Sequence, residues 1–325
     1  MALIDVHAHV VLEETFGTAG EYGPELIENE NEPPMFRIGS YCLHGVPYRN
    51  SPFMDHELRL KKMEEASIGF QVLSPNPLTY FHFIDDEAAI NFCRRHNDTL
   101  AGIIKRYPDK LAGFAALPMQ HIEAAKEELE RSVKDLGLLG AYIGVDFRTQ
   151  LDHEMYDTFY EKVIELNVPL YLHPAPAGID GPKRDDRFKR FDLDLTVGFA
   201  ADETLAVATL IYGGVMERHP DLDVCISHGG GASIYLCGRM AAAARKRPWS
   251  PGYIRADGAY EEVLSSLWFD SHVHSQRVFS LLKDTVGLGR LVFGTNFAGW
   301  DQGHAAFDEE TTTALTDNAR RLLRI

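Results

Sequence analysis

The chain has little of what several protein classes require. Basic residues are in deficit, with 32 Lys and Arg against 48 Asp and Glu in 325 residues, a formal net charge of −16. That excludes a nucleic-acid partner, because holding a polyanion depends on clustered Lys and Arg that neutralise phosphates. Cysteines are sparse: Cys42, Cys93, Cys225 and Cys237 are too few for a disulfide framework and lack the close pairs of a zinc knuckle. Free thiols in a reducing cytoplasm are the simplest expectation. No run approaches the roughly 18 consecutive apolar residues of a membrane helix, so no membrane partner is expected. The opening MALIDVHAHV sets Asp5, His7 and His9 where a signal peptide carries its apolar core, which argues against export. Neither phosphate-binding glycine pattern follows a strand, and no repeat or low-complexity tract occurs. What the chain does have is histidine, 14 in all, several at regular positions within an otherwise ordinary globular composition.

Apolar, β-branched runs recur at residues 3–9, 70–74, 111–118, 140–145, 169–174, 223–229, 267–272 and 290–296. Their nearly unbroken apolar character suits parallel strands covered on both faces. Helical periodicity fills the intervals, at 55–66, 86–107, 122–136, 153–166, 200–219, 232–246, 275–286 and 305–323. Eight strand–helix units in succession predict an α/β fold closed as a (β/α)8 TIM barrel, one domain over residues 1–325. An open sheet of seven or eight strands is the competing architecture. Two segments distort the minimal barrel: an insertion at about 11–50 after the first strand, and a charged loop at 175–195 after the fifth. Both emerge at the C-terminal rim, where a lid or a plain surface excursion would equally fit.

The chemistry collects at strand ends. His7 and His9 alternate along strand one, so both imidazoles face one side and can share a metal ion. His173 closes strand five, His228 closes strand six ahead of Gly229, Gly230 and Gly231, and Asn296 closes strand eight. A barrel brings these ends to one mouth. Neutral imidazoles favour one borderline divalent ion, zinc first, with manganese or cobalt as alternatives. His272 and His274 near the end of strand seven suit either a rim role or packing. Tyr80, Phe81, His82 and Phe83, with Trp300, form a candidate aromatic wall for a planar substrate, or else lid packing. Cys225, inside an apolar strand, reads as inert core.

The succession HAH, LHP, SHGGG and FGTN resembles the amidohydrolase superfamily, in its aminocarboxymuconate-semialdehyde decarboxylase branch. The similarity extends to DHELRLKKMEEASIGFQVLSPNP, LAGFAALPMQHIEAAKEELERSVKDLG, IYGGVMERHPDLDVCISHGGGA and LWFDSHVH. The resemblance implies that His7, His9 and His173 hold the metal and that His228 is the acid/base. It implies that Arg239 and an insertion arginine, Arg49 or else Arg37, bind a substrate carboxylate, and that the protein is a homodimer. The implied activity is metal-dependent, non-oxidative decarboxylation of an unsaturated or aromatic acid, such as a carboxymuconate semialdehyde or hydroxybenzoate. The alternatives are a hydrolase, hydratase or deaminase acting on a ring-cleavage product, or an inactive binding homologue.

One position departs from the family. Asn296 stands where the branch carries an aspartate that binds metal and manages protons. An amide ligates only weakly through its carbonyl oxygen and exchanges no proton near neutral pH. Asn296 is therefore either a native departure, with His228 alone moving protons, or an engineered inactivating change. Asp301, five residues on, is a candidate substitute carboxylate or a surface residue.

Overall fold

The structure, a computed structural model, describes residues 2–29, 32–175, 186–303 and 307–325. Residues 176–185 of the charged loop and 304–306, which include the first two residues of the last predicted helix, lie outside the described residues. The strands are β1 (Leu3–Val10), β2 (Glu25–Asn29), β3 (Glu32–Ile38), β4 (Tyr41–His44), β5 (Ile68–Pro75), β6 (Leu111–Gly113), β7 (Ala141–Ile143), β8 (Leu170–Leu172), β9 (Val224–Ile226), β10 (Trp268–Asp270) and β11 (Leu291–Val292). β1 and β5 to β11 fall on the eight predicted runs, and all their pairings are parallel.

They form two ladders, β1–β5–β6 and β7–β8–β9–β10–β11. Single parallel bridges join the ladders at both seams. Ala115 pairs with Ala141, where the Tyr142 N–H donates to the Ala115 carbonyl at 3.0 Å. Ala8 pairs with Phe297, and the Val6 N–H donates to the Phe293 carbonyl at 3.0 Å. The side chains fall into two layers. Val6, Val72, Ala112, Tyr142, Tyr171, Cys225, Trp268 and Val292, one from each strand, meet in a single buried cluster. Their neighbours Leu73, Leu111, Ile143, Leu172, Ile226, Phe269 and Leu291 belong to a second core, facing the helices. Period-two alternation gives each strand one residue in either cluster, and the bridges at both seams close the ring. Cys225 is interior filling, as expected.

The outer layer consists of α1 (His56–Glu65), α2 (Asp86–Arg106), α3 (Ile122–Lys134), α4 (Asp157–Glu165), α5 (Phe199–Tyr212), α6 (Val215–Arg218), α7 (Ser233–Lys246), α8 (Ala259–Leu264), α9 (Gln276–Val286) and α10 (Glu309–Leu323). Asp55, Asp85 and Asp308 cap α1, α2 and α10 by accepting from the N–H of Leu58, Ala88 and Thr311 at 2.9, 2.9 and 2.7 Å. The single helix expected over 200–219 is broken at Gly213–Gly214, where Gly214 has φ 76° and starts α6 anew. The segment Asp194–Tyr212 is long and apolar enough to cross a membrane by length and composition. Here Ala206, Val207, Leu210 and Ile211 pack it into the core.

Two features position the mouth. The first is an extra residue in β1: Asp5 pairs with Gln71, but Ala8 already pairs with Leu73, so three steps on β1 match two on β5. Such a bulge re-aims side chains. Val6 fills the interior, yet His7 and His9, rather than Ala8, take the inward face above it. The second is the insertion, whose strands β2–β3–β4 form an antiparallel meander. Phe36, Ile38, Tyr48 and Phe53 pack it onto Leu78, Phe81 and Ile84 beyond β5. Phe81 belongs to that packing, while Tyr80 is buried in the barrel interior with its ring 6.5 Å from that of His173, and the buried His82 accepts from the Gly144 N–H at 3.0 Å.

His96 on α2 is buried with Nε2 unpartnered, and burial lowers its pKa from 6.5 to about 4. A histidine depressed in the folded state leaves stability intact above pH 6.5 and removes it as pH falls from there towards 4. Its share is roughly 3 kcal/mol at most. Urea midpoints of His96→Phe should fall less than those of the unmodified protein between pH 7.5 and pH 5; parallel declines would contradict this assignment.

Candidate metal centre

Three imidazoles meet at the mouth, and their protons can be placed from their partners. His7 Nδ1 lies 2.6 Å from Asp270 Oδ2, His9 Nδ1 lies 3.0 Å from the Pro75 carbonyl, and His173 Nδ1 lies 2.6 Å from the Pro174 carbonyl. Carbonyls and carboxylates accept, so each ring carries its proton on Nδ1 and leaves a bare lone pair on Nε2. His7 Nε2 and His9 Nε2 then face each other at 3.3 Å, acceptor against acceptor. His173 Nε2 is buried without a hydrogen-bond partner. The three ligand atoms lie within 4.8 Å of one another. A divalent cation satisfies all three lone pairs at once, so the donor set fits the expected ion.

Electrostatics agree. Burial above all, reinforced by the neighbouring imidazoles, holds His7 and His173 well below the ordinary histidine range, and burial lowers His9 to about 3. All three stay neutral, which is the form that ligates. Asp270 fixes the His7 tautomer and is itself anchored by the Tyr171 hydroxyl at 2.6 Å and the N–H groups of His272 and Gly229 at 3.1 and 3.2 Å.

His228 stands against this cluster, its ring 5.0 Å from that of His7 and 4.8 Å from that of His173. Its Nδ1 is 2.5 Å from Glu203 Oε1 on α5, which also accepts from the Ser227 hydroxyl. Burial alone would lower His228; the Glu203 carboxylate, helped by Asp270 and Asp301, outweighs it and raises the imidazole to about 9. The backbone here requires glycine. His228 has φ 45° and Gly229, Gly230 and Gly231 continue at 61°, 77° and 62°. A Cβ on Gly231 would come within 2.2 Å of the Ala200 carbonyl of α5. That close approach lets Glu203 reach His228.

A cavity of about 410 Å³ opens beside His228, lined also by Glu203, Asn296, Trp300, Asp301, Phe199 and Tyr235. Asn296, φ 51°, donates from Nδ2 to Asp301 Oδ1 at 2.5 Å. Burial would raise Asp301, but hydrogen bonds from His272 and Asn296 and the charge of His228 hold it well below the usual carboxylate range. The sequence expectation for His7, His9, His173, His228, Asn296 and Trp300 therefore converges on one mouth. The two arginines do not join them within this chain. Arg49 pairs with Glu13 and Glu28, both at 2.8 Å, and lines a separate cavity. Its alternative Arg37 is tied to Glu25 at 2.7 Å. Arg239 is exposed on α7.

Sequence reasoning missed Glu203 and Asp270, the carboxylates that meet His228 and His7. A fully buried carboxylate must be paired. Asp270 closes the apolar run Leu267, Trp268 and Phe269 and was legible by that mismatch, whereas Glu203, between Asp202 and Thr204, carried no such signal.

A family model described as amidohydrolase matches residues 4–325. The chain belongs to the amidohydrolase family. Within it, a gamma-resorcylate decarboxylase of Rhodococcus jostii is 35% identical over 77% of this chain and 79% of its own. A 2-amino-3-carboxymuconate-6-semialdehyde decarboxylase of Dictyostelium discoideum is 28% identical, covering 90% and 81%. A 2-keto-4-carboxy-3-hexenedioate hydratase of a Sphingobium species is 24% identical, covering 82% and 74%. Among solved structures, a dihydroxybenzoic acid decarboxylase of Polaromonas with bound manganese and the inhibitor 2-nitroresorcinol superimposes with TM-score 0.75 at 22% identity, over 99% of this chain and 97% of that one. These matches place the chain in the decarboxylase branch that its motifs resemble and support the barrel fold.

Asp270→Asn keeps the shape of the side chain but loosens its hold on the His7 proton. Chelator competition should show metal affinity lowered by about 10–100-fold. Unchanged affinity would rule out the tautomer argument.

Proposed function

We propose that the chain is a metal-dependent, non-oxidative decarboxylase of an aromatic or unsaturated carboxylic acid with an oxygen function beside the carboxylate. The observation that carries this is the pairing of a three-imidazole lone-pair cluster with the His228–Glu203 couple at the same cavity, in a chain similar to decarboxylases over most of its length. We assign the ligands as His7, His9 and His173, with Asn296 as the fourth residue at the metal's edge. The ion is zinc or, as in the Polaromonas structure, manganese. When bound, it would supply positive charge that holds and polarises the oxygen function beside the substrate carboxylate.

The residues of the chain do the rest. His228 Nδ1 is committed to Glu203, which leaves Nε2 for the cavity. From there it delivers a proton to the carbon that bears the carboxylate. The carbon–carbon bond then breaks, its electron pair returns to the conjugated system, and CO2 leaves. Glu203 keeps the imidazole charged until that transfer and correctly oriented afterwards. Asn296 exchanges no proton, so this duty falls on His228 alone. Phe199 and Trp300 offer apolar surface to a planar substrate. Arg239 lies one helical turn from Tyr235, an 83% exposed residue that lines the cavity. We place its carboxylate-binding role at a second copy of a cytoplasmic homodimer.

The hydratase among the relatives keeps addition of water as the rival reading. Incubation with 2,6-dihydroxybenzoate and with carboxylated ring-cleavage products in 18O-water separates the two. Stoichiometric CO2 with no label in the organic product is expected; labelled product would favour the rival, and no turnover with any would favour the inactive homologue. His228→Gln should lower kcat by about 10²–10⁴-fold, the usual weight of a general acid. An unchanged kcat would remove His228 from the reaction.

A further inference from the structure

A second group of ligating atoms borders the same cavity. His272 Nε2 and His274 Nε2 both approach one oxygen, Asp301 Oδ2, at 3.2 and 3.3 Å. The other oxygen, Oδ1, is held by Asn296 Nδ2 at 2.5 Å, so Oδ2 alone faces the two imidazoles. We infer that His272, His274 and Asp301 form a second divalent-cation site, which makes the centre binuclear.

Distance and partner geometry carry the argument. Charge-assisted hydrogen bonds to a carboxylate run at about 2.7–2.9 Å, and the Asn296 contact on the same residue is shorter still. The two imidazole contacts are longer, and nearly equal. Donors sharing one ion at bond lengths of about 2.1 Å sit roughly 3.0–3.4 Å apart along the edges of a coordination polyhedron. That is also the His7–His9 spacing in the first centre, 3.3 Å. The three ligand atoms lie within 4.8 Å of one another. Side-chain exposure grades from 0% at His272 through 17% at Asp301 to 51% at His274, so the site opens towards solvent on one side. Two imidazoles and one carboxylate oxygen suit a borderline ion such as zinc, cobalt or manganese, with open positions for other oxygens.

The site has a use. Among the described residues lining the cavity there is no Arg or Lys. A carboxylate substrate entering a protein of net charge −16 needs local positive charge, and a second cation would add to that of the first metal and His228 in a cavity that no arginine of the same chain lines. The His272 ring is 5.7 Å from that of His7 and 5.3 Å from that of His228, close enough for one small dicarboxylate or hydroxy acid to touch both metals. The inference stands independently of the reaction proposed above.

Equilibrium dialysis of the purified protein against low-micromolar Zn2+, followed by elemental analysis, tests it. The unmodified protein should hold two equivalents. Asp301→Ala and, as a conservative control for folding, Asp301→Asn should each hold one, as should the His7→Ala/His9→Ala pair. One equivalent in the unmodified protein, or two retained by both Asp301 variants, would overturn the second site. Failure of the first centre reads differently, as no loss in the His7→Ala/His9→Ala pair.

Discussion

Three protons on three Nδ1 atoms govern the mouth of this barrel. Each is held by an acceptor that cannot donate back: the Asp270 carboxylate, the Pro75 carbonyl and the Pro174 carbonyl. Because those protons are fixed, the Nε2 lone pairs converge, and because the rings are buried they stay neutral. The surrounding fold serves this arrangement. Asp270, at the end of β10, gathers the His7 ring from β1, the Tyr171 hydroxyl from β8 and the Gly229 N–H from the turn after β9. One carboxylate thus ties four strand ends together. Displacing it would free the metal-facing tautomer and slacken the ring in the same event.

The same logic separates the two kinds of histidine. His7, His9 and His173 face carbonyls or a shared carboxylate and one another, and burial keeps them uncharged. His228, a few ångströms away, has a carboxylate of its own and becomes the cation of the group. Ligand and acid are distinguished by partner, not by residue type.

Much of this was legible in the sequence. Parallel strands buried on both faces write themselves as unbroken apolar runs, so all eight barrel strands stood out, and with them the residues at their C-terminal ends. The meander β2–β3–β4 was not legible: its strands are short, one side is wet, and Pro33 and Pro34 interrupt the pattern. Glu203 and Asp270 were hidden because only the folded chain shows which histidine each acid meets. The placing of the insertion arginines was illegible for another reason. Arg49 stands close enough to Glu13 and Glu28 to be neutralised locally, and position along the chain says nothing of that competition.

The bulge in β1 sets what kinds of change this site can survive. Asp5 and Ala8 keep their partners on β5 with one residue more than a regular ladder holds, so Val6 and His7 both turn inward. Loss of Val6 would leave a regular ladder with His7 and His9 still facing the mouth, whereas loss of Ala8 would set the two histidines on opposite faces and turn an unpaired imidazole into the apolar layer. The spacing that the metal centre depends on is therefore the single residue between His7 and His9.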